Sequence, residues 1–166
     1  MKINFDFGSL VDKRKESLLT AIYIGSIFII LATVFYVNLS NDLWGGLIKF
    51  FTSLTLSVVP STGISLPAPA NPAAHMNLYL AAFQFSIAVG ILEIVILILR
   101  VGFHSPVTRK AETIENIVFW LGTSYLIVTY LVNMRIPSEW FVFWAGIILI
   151  FGLALISRAF VLLAKR

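Results

Sequence analysis

The chain contains no cysteine, which excludes disulfides, thiol nucleophiles and thiolate metal sites. It contains only two histidines, His75 and His104. They lie far apart, neither has a partner at ligand spacing, and a histidine-held metal or haem is not expected. Charge is scarce as well: 12% of the 166 residues are charged, against 59% apolar. Soluble domains typically carry about 25% charged and about 45–50% apolar residues. At a mean hydropathy of +0.95, polar side chains are too few to cover a water-facing surface. Also missing are a nucleophile elbow, a paired acidic metal motif and a glycine-rich phosphate loop. Neither an enzyme nor a cofactor is expected. The net charge of +4 is not gathered into a stripe and accompanies no groove-reading motif, so nucleic acid is not an expected partner.

What the chain has is long apolar runs. About 20 apolar residues cross the hydrocarbon core. Four such runs predict an all-α integral membrane four-helix bundle forming a single domain over 1–166. Residues 1–16 form a polar, partly aromatic N-terminus, with Ser9 and Asp12 at capping-box spacing. Spans are predicted at 17–39, 75–100, 106–134 and 139–164. Between the first two, Asn41 and Asp42 can cap a further helix over 42–58. Its apolar positions Trp44, Leu47, Ile48, Phe51, Leu54 and Val58 share one face, the pattern of a helix lying in the outer interface. Residues 59–74 hold Pro60, Pro67, Pro69 and Pro72 and read as an extended loop. Asn71-Pro72 and Ser105-Pro106 each resemble a cap followed by proline at a helix start. The tight connection before the last span predicts antiparallel neighbours.

Basic residues set the orientation. Lys2, Lys13, Arg14, Lys15, Arg100, Arg109, Lys110, Lys165 and Arg166 fall on one side of a four-span topology, and only Lys49 and Arg135 on the other. The positive-inside rule then puts both termini in the cytoplasm of a cell (plasma) membrane. Tyr36, Trp44, Tyr79, Trp140 and Trp144 are expected to form an outer aromatic belt, with Trp120 near the inner one. Arg100, His104, Arg109 and Lys110 form an expected basic cytoplasmic rim that attracts anionic lipid.

Two ionisable residues lie inside the apolar runs, Glu93 and Arg158. Such residues are costly in lipid and mark candidate sites. Each precedes a basic residue by seven positions, which places both roughly 10 Å inside the cytoplasmic boundary. A Glu93–Arg158 ion pair is therefore expected. Its structural reading is a fixed helix register. Its functional reading is a proton or cation site at Glu93, and a third role is contact between Arg158 and lipid phosphate. Ala82, Ser86, Gly90 and Glu93 share one helix face, on which small residues permit close helix approach. Comparable stripes are Ala21, Gly25 and Ala32 in the first span, and Ala145, Gly152 and Ala159 in the last. Gln84, Thr123, Ser124 and Thr129 are expected to hydrogen-bond between helices. His75 reads as a lone surface histidine, and Asn38-Leu39-Ser40 matches a glycosylation sequon.

In size and span number the chain resembles small multidrug transporters, which carry one membrane glutamate. Theirs lies in the first span and Glu93 lies in the second. The expected function is non-enzymatic: helix–helix association, as a homo-oligomer or as a subunit of a larger membrane complex. The alternative is a small channel or ion-coupled transporter using Glu93. A third reading is surface sensing through the amphipathic helix and proline-rich loop.

Overall fold

The computed structural model describes the backbone of residues 7–134 and 136–164 and the side chains of residues 14–134 and 136–164. The charges on Lys2, Lys13, Arg135, Lys165 and Arg166 and the Ser9–Asp12 pairing lie outside the described side chains. Five α-helices are present: α1 (Phe7–Val37), α2 (Leu43–Thr52), α3 (Met76–Gly102), α4 (Val107–Leu126) and α5 (Glu139–Leu163). Four segments are long and apolar enough to cross a membrane: Arg14–Val37, Pro72–Gly102, Val107–Val132 and Glu139–Leu163. The shortest, of 24 residues, extends about 36 Å as a helix, more than the roughly 30 Å hydrocarbon core. The four segments expected to span are thus helical and long enough to do so, within a few residues of their predicted bounds. α4 passes into a π-helical stretch, Ile127–Val132, that completes the third segment.

The packing order departs from a closed bundle. α1 packs on α3, α3 on α4 and α4 on α5, with no comparable interface between α5 and α1. The long helices therefore form an open row with α3 and α4 inside. Far more of α3 and α4 is buried than of α1 and α5. The outer faces of the flanking helices are apolar, including Phe28 and Ile29 on α1 and Ile148 and Leu149 on α5. Water would not tolerate such surfaces, and a bilayer solvates them.

The segment between α1 and α3 also differs from expectation. The helix predicted over 42–58 ends at Thr52. Asp42 caps it, accepting from the Gly45 amide at 3.1 Å. A Cβ on Gly45 would lie 2.1 Å from that carboxylate, so glycine is what admits the cap. At the other end the hydroxyls of Thr52 and Ser53 bond back to carbonyls of the last turn. Such back-bonding hydroxyls compete with the backbone amides for the last carbonyls and favour a helix end. The alternating sequence beyond it forms β1 (Leu54–Val58), which pairs antiparallel with β2 (Ser65–Pro69). Residues 59–74 are therefore not simply a loop: they contain the turn and the second strand of a hairpin. Ser61 and Gly63 adopt positive φ in the turn. Pro67 and Pro69 are compatible with β2 because its other edge needs no amide donors.

The hairpin is fastened to the end of the row. The Trp140 indole donates to the Pro67 carbonyl at 3.2 Å, and Ala68, Tyr79, Leu126, Ile127, Leu131, Trp140 and Phe143 form a common core. Tyr79 and Trp140 are buried, which removes them from the expected belt. Tyr36, Trp44 and Trp144 remain exposed. Asn71 makes no side-chain cap, and Pro72 opens a short 3-10 turn before α3. Pro106, not Ser105, is the residue preceding α4.

Candidate functional site

α3 carries Ser86, Gly90 and Glu93 into the interior, where all three are buried, whereas Ala82 stays exposed. Gly90 lets α4 approach closely: a Cβ there would meet the Leu121 side chain at 2.4 Å. Glu93 is only 2% exposed. The Asn116 amide of α4 donates to Glu93 Oε1 at 2.8 Å, and the Tyr23 hydroxyl of α1 interacts electrostatically with the same carboxylate. One carboxylate thus joins three helices.

Arg100, two turns further along α3, exerts a favourable Coulombic interaction on Glu93. Its guanidinium donates to the Thr113 hydroxyl and to the Arg109 carbonyl. Thr113 is fully buried and itself donates to the Arg109 carbonyl at 2.9 Å. Arg100 Nε is buried without a partner. The expected rim therefore divides. Arg100 turns inward, whereas His104 and Arg109 are exposed and Lys110 is half-buried.

Arg158 does not take up the expected pairing with Glu93. It donates to Glu115 at 3.0 Å and lies 3.8 Å from Glu112, both on α4. Glu112 in turn pairs with Arg109 at 3.0 Å. The physical reason is the order of the row. α3 and α5 run the same way with α4 between them, so each meets α4 rather than the other. Residues Thr113 and Asn116 face α3 while Glu112 and Glu115 face α5, as helical spacing requires.

The small-residue stripes also divide. Ala145 and Ala159 are exposed, and Gly152 has nothing within 4 Å of a built Cβ. α5 packs on α4 through other positions, with Gly146 against Leu126 and Ile150 against Gly122. On α1, Ala21, Gly25 and Ala32 are likewise exposed, and Gly25 has nothing within 4 Å.

The remaining polar residues are mostly absorbed by structure. The Asn38 amide donates to Gln84 at 2.7 Å and to the Val34 carbonyl, and Asn38 is buried. That buried, bonded amide cannot receive a glycan in this fold. Ser124 bonds within its own helix, and the buried Thr123 hydroxyl has no partner. His75 is buried rather than on the surface, with Nε2 3.0 Å from the Ser53 hydroxyl. Ser53 Oγ also lies 2.9 Å from the Phe50 carbonyl. The pair is a latch between the end of α2 and the start of α3. Among the described residues no three metal-ligating side chains come together.

Tyr23, Asn116, Glu112 and Glu115 did not emerge from the sequence as site residues. The signal that identifies Glu112, Glu115 and Asn116 is helical spacing on α4, placed between α3 and α5; Tyr23, on α1, carries no such signal. Comparisons with protein-family models, curated proteins and solved structures give no match to this chain.

Proposed function

We propose that the chain is a non-enzymatic four-span protein of the cell (plasma) membrane, with both termini cytoplasmic, that works by helix–helix association. It acts as a homo-oligomer or as one subunit of a larger membrane complex. The observation that carries this reading is the pair of unoccupied small-residue stripes. Ala21, Gly25 and Ala32 lie at one end of the row and Ala145, Gly152 and Ala159 at the other, both accessible. Within lipid, such stripes are the surfaces on which helices approach most closely. In this reading Glu93 is a clasp that fastens α1 to α3 and α4, and the basic rim rests among anionic headgroups.

The lack of cysteine makes the test clean. Single cysteines replacing Ala32 or Ala159 report proximity in membranes without background. Crosslinked species at these positions, lost on adding Gly25→Leu or Gly152→Leu, support association. Neither leucine meets a neighbour within the protomer, so the fold should persist. A protein that stays monomeric in native-lipid discs and yields no crosslink at either stripe refutes the reading.

The alternative, ion-coupled transport through Glu93, draws on one observation. Its hydrogen-bond donor Asn116 and its neighbour Tyr23 are neutral, and among the described residues no cation bonds to the carboxylate. Proton flux into vesicles that is abolished by Glu93→Gln would establish it in place of the clasp.

A further inference from the structure

A cleft of about 850 Å³ opens where α1 passes the turn between α3 and α4. This volume lies within the roughly 300–1,000 Å³ range of small-molecule sites. Its floor includes Ala21 and Ile24 of α1, and its rim includes His104, Ser105, Thr108 and Arg109.

Arg109 on the rim already pairs with Glu112, and the start of α4 offers three further features to an anion. Ser105 is only 7% exposed yet lines the cleft, and its hydroxyl makes no hydrogen bond among the described residues. α4 starts beside it with neither a side-chain cap nor an acidic residue in its first turn. That turn instead carries Arg109 and Lys110, which adds cations to the positive end of the helix dipole. A helix N-terminus ordinarily favours negative charge. His104, in the left-handed region at φ 56, brings a second imidazole or imidazolium donor to the same rim.

The cleft also bounds what fits. Lys15 and Glu16 line it too, with Glu16 Oε2 buried and unpartnered among the described residues. With Arg109 the lining carries one net positive charge, which suits a singly charged phosphodiester better than a multiply charged phosphate. The floor selects for a lipid. Ala21 and Ile24 continue onto the exposed apolar face of α1, which an acyl chain can follow and a free phosphate leaves uncovered.

We propose that this cleft holds one membrane phospholipid. Its phosphodiester is bound by Ser105, Arg109 and the first turn of α4, and one acyl chain lies along Ala21 and Ile24. This inference rests on the membrane placement proposed above, and because Ala21 also belongs to the α1 stripe, Gly25→Leu, which lies outside the cleft lining, separates association from lipid binding.

The test uses the full chain in lipid discs and a phosphatidylglycerol carrying a photoreactive group in its acyl chain. Labelling should map to 21–24. Unlabelled phosphatidylglycerol should compete, whereas diacylglycerol, which lacks the phosphate, and glycerol phosphate, which lacks the chains, should not. Ser105→Ala with Arg109→Gln should lower labelling by about tenfold or more, the scale of a lost hydrogen bond to a charged group. Lys49→Gln should leave it unchanged. Ala21→Trp, which fills the floor and leaves the α4 turn intact, should also block labelling. Equal labelling of the double variant or of Ala21→Trp overturns the proposal. So does equal competition by diacylglycerol, which would show an apolar groove only, or by glycerol phosphate, which would show a soluble-anion site.

Discussion

Removing the two donors to Glu93 should damage the protein more than removing Glu93 itself. In the native protein the carboxylate is 2% exposed, bonded by Asn116 and in electrostatic contact with the Tyr23 hydroxyl, which we take as its second donor. Interhelical hydrogen bonds in membranes average about 0.6 kcal/mol and reach about 1.7 kcal/mol. Bonds to charged groups are stronger, about 1.5–3 kcal/mol. Tyr23→Phe should therefore cost about 1.5 kcal/mol, and Asn116→Leu a similar amount. Made together, they strand a buried charge, for which the usual cost is about 3–5 kcal/mol. Glu93→Leu removes the charge along with its need for partners and should cost less than that double variant. In the Glu93→Leu background, Tyr23→Phe should be nearly silent, giving a coupling of about 1.5 kcal/mol. Equilibrium unfolding in bicelles, run as a double-mutant cycle, measures each term. Additive losses from Tyr23→Phe and Glu93→Leu would refute the clasp, because residues that do not meet do not couple.

Arg158→Met and Glu115→Gln should couple measurably, whereas Arg158→Met and Glu93→Gln should add within about 0.5 kcal/mol in the same unfolding assay. Gly90→Val should destabilise by about 1–3 kcal/mol through overpacking against Leu121, and Gly152→Val, facing open space, should not; thermal shift in detergent separates them. Trp140→Phe removes the bond to Pro67 and should loosen the hairpin by about 1 kcal/mol, seen as faster amide exchange over 54–69. Reporter fusions at residues 1 and 166 should both read cytoplasmic, and an outside signal from either end contradicts the proposed topology.

The spans were legible because their signal is additive. Twenty-odd apolar residues in a row outweigh any local ambiguity. The hairpin was hidden for the opposite reason. Leu54 and Val58 satisfy the helical period begun at Trp44, while Thr55 and Ser57 satisfy an alternating one. Over five residues the two periods cannot be told apart. What decides is the hydroxyl-bonded helix end at Thr52 and Ser53 and the carbonyl that Pro67 presents to Trp140, a contact between residues 73 positions apart. Glu93 and Arg158 stood out because charge within an apolar run is conspicuous. Their partners did not, because Glu112, Glu115 and Asn116 lie in the polar first half of α4, which looks solvent-exposed until its neighbours are known. Position along each helix was readable from sequence, but lateral order was not. Two helices expected to pair met a third instead of each other.

The open row has a consequence for stoichiometry. Its ends are unlike: α1 carries one free stripe and α5 another. Joining the α1 end of one copy to the α5 end of the next is a head-to-tail contact, which closes only as a ring or runs on as a filament. Joining like ends instead gives a two-fold pair that leaves the other end open. Assembly through both stripes thus favours cyclic symmetry, with the subunit number set by the small rotation between successive rows. Such a ring also has a characteristic vulnerability. A copy with one blocked stripe still adds to a growing chain and then ends it, so a minority of Gly25→Leu subunits should break up rings built mainly from intact ones.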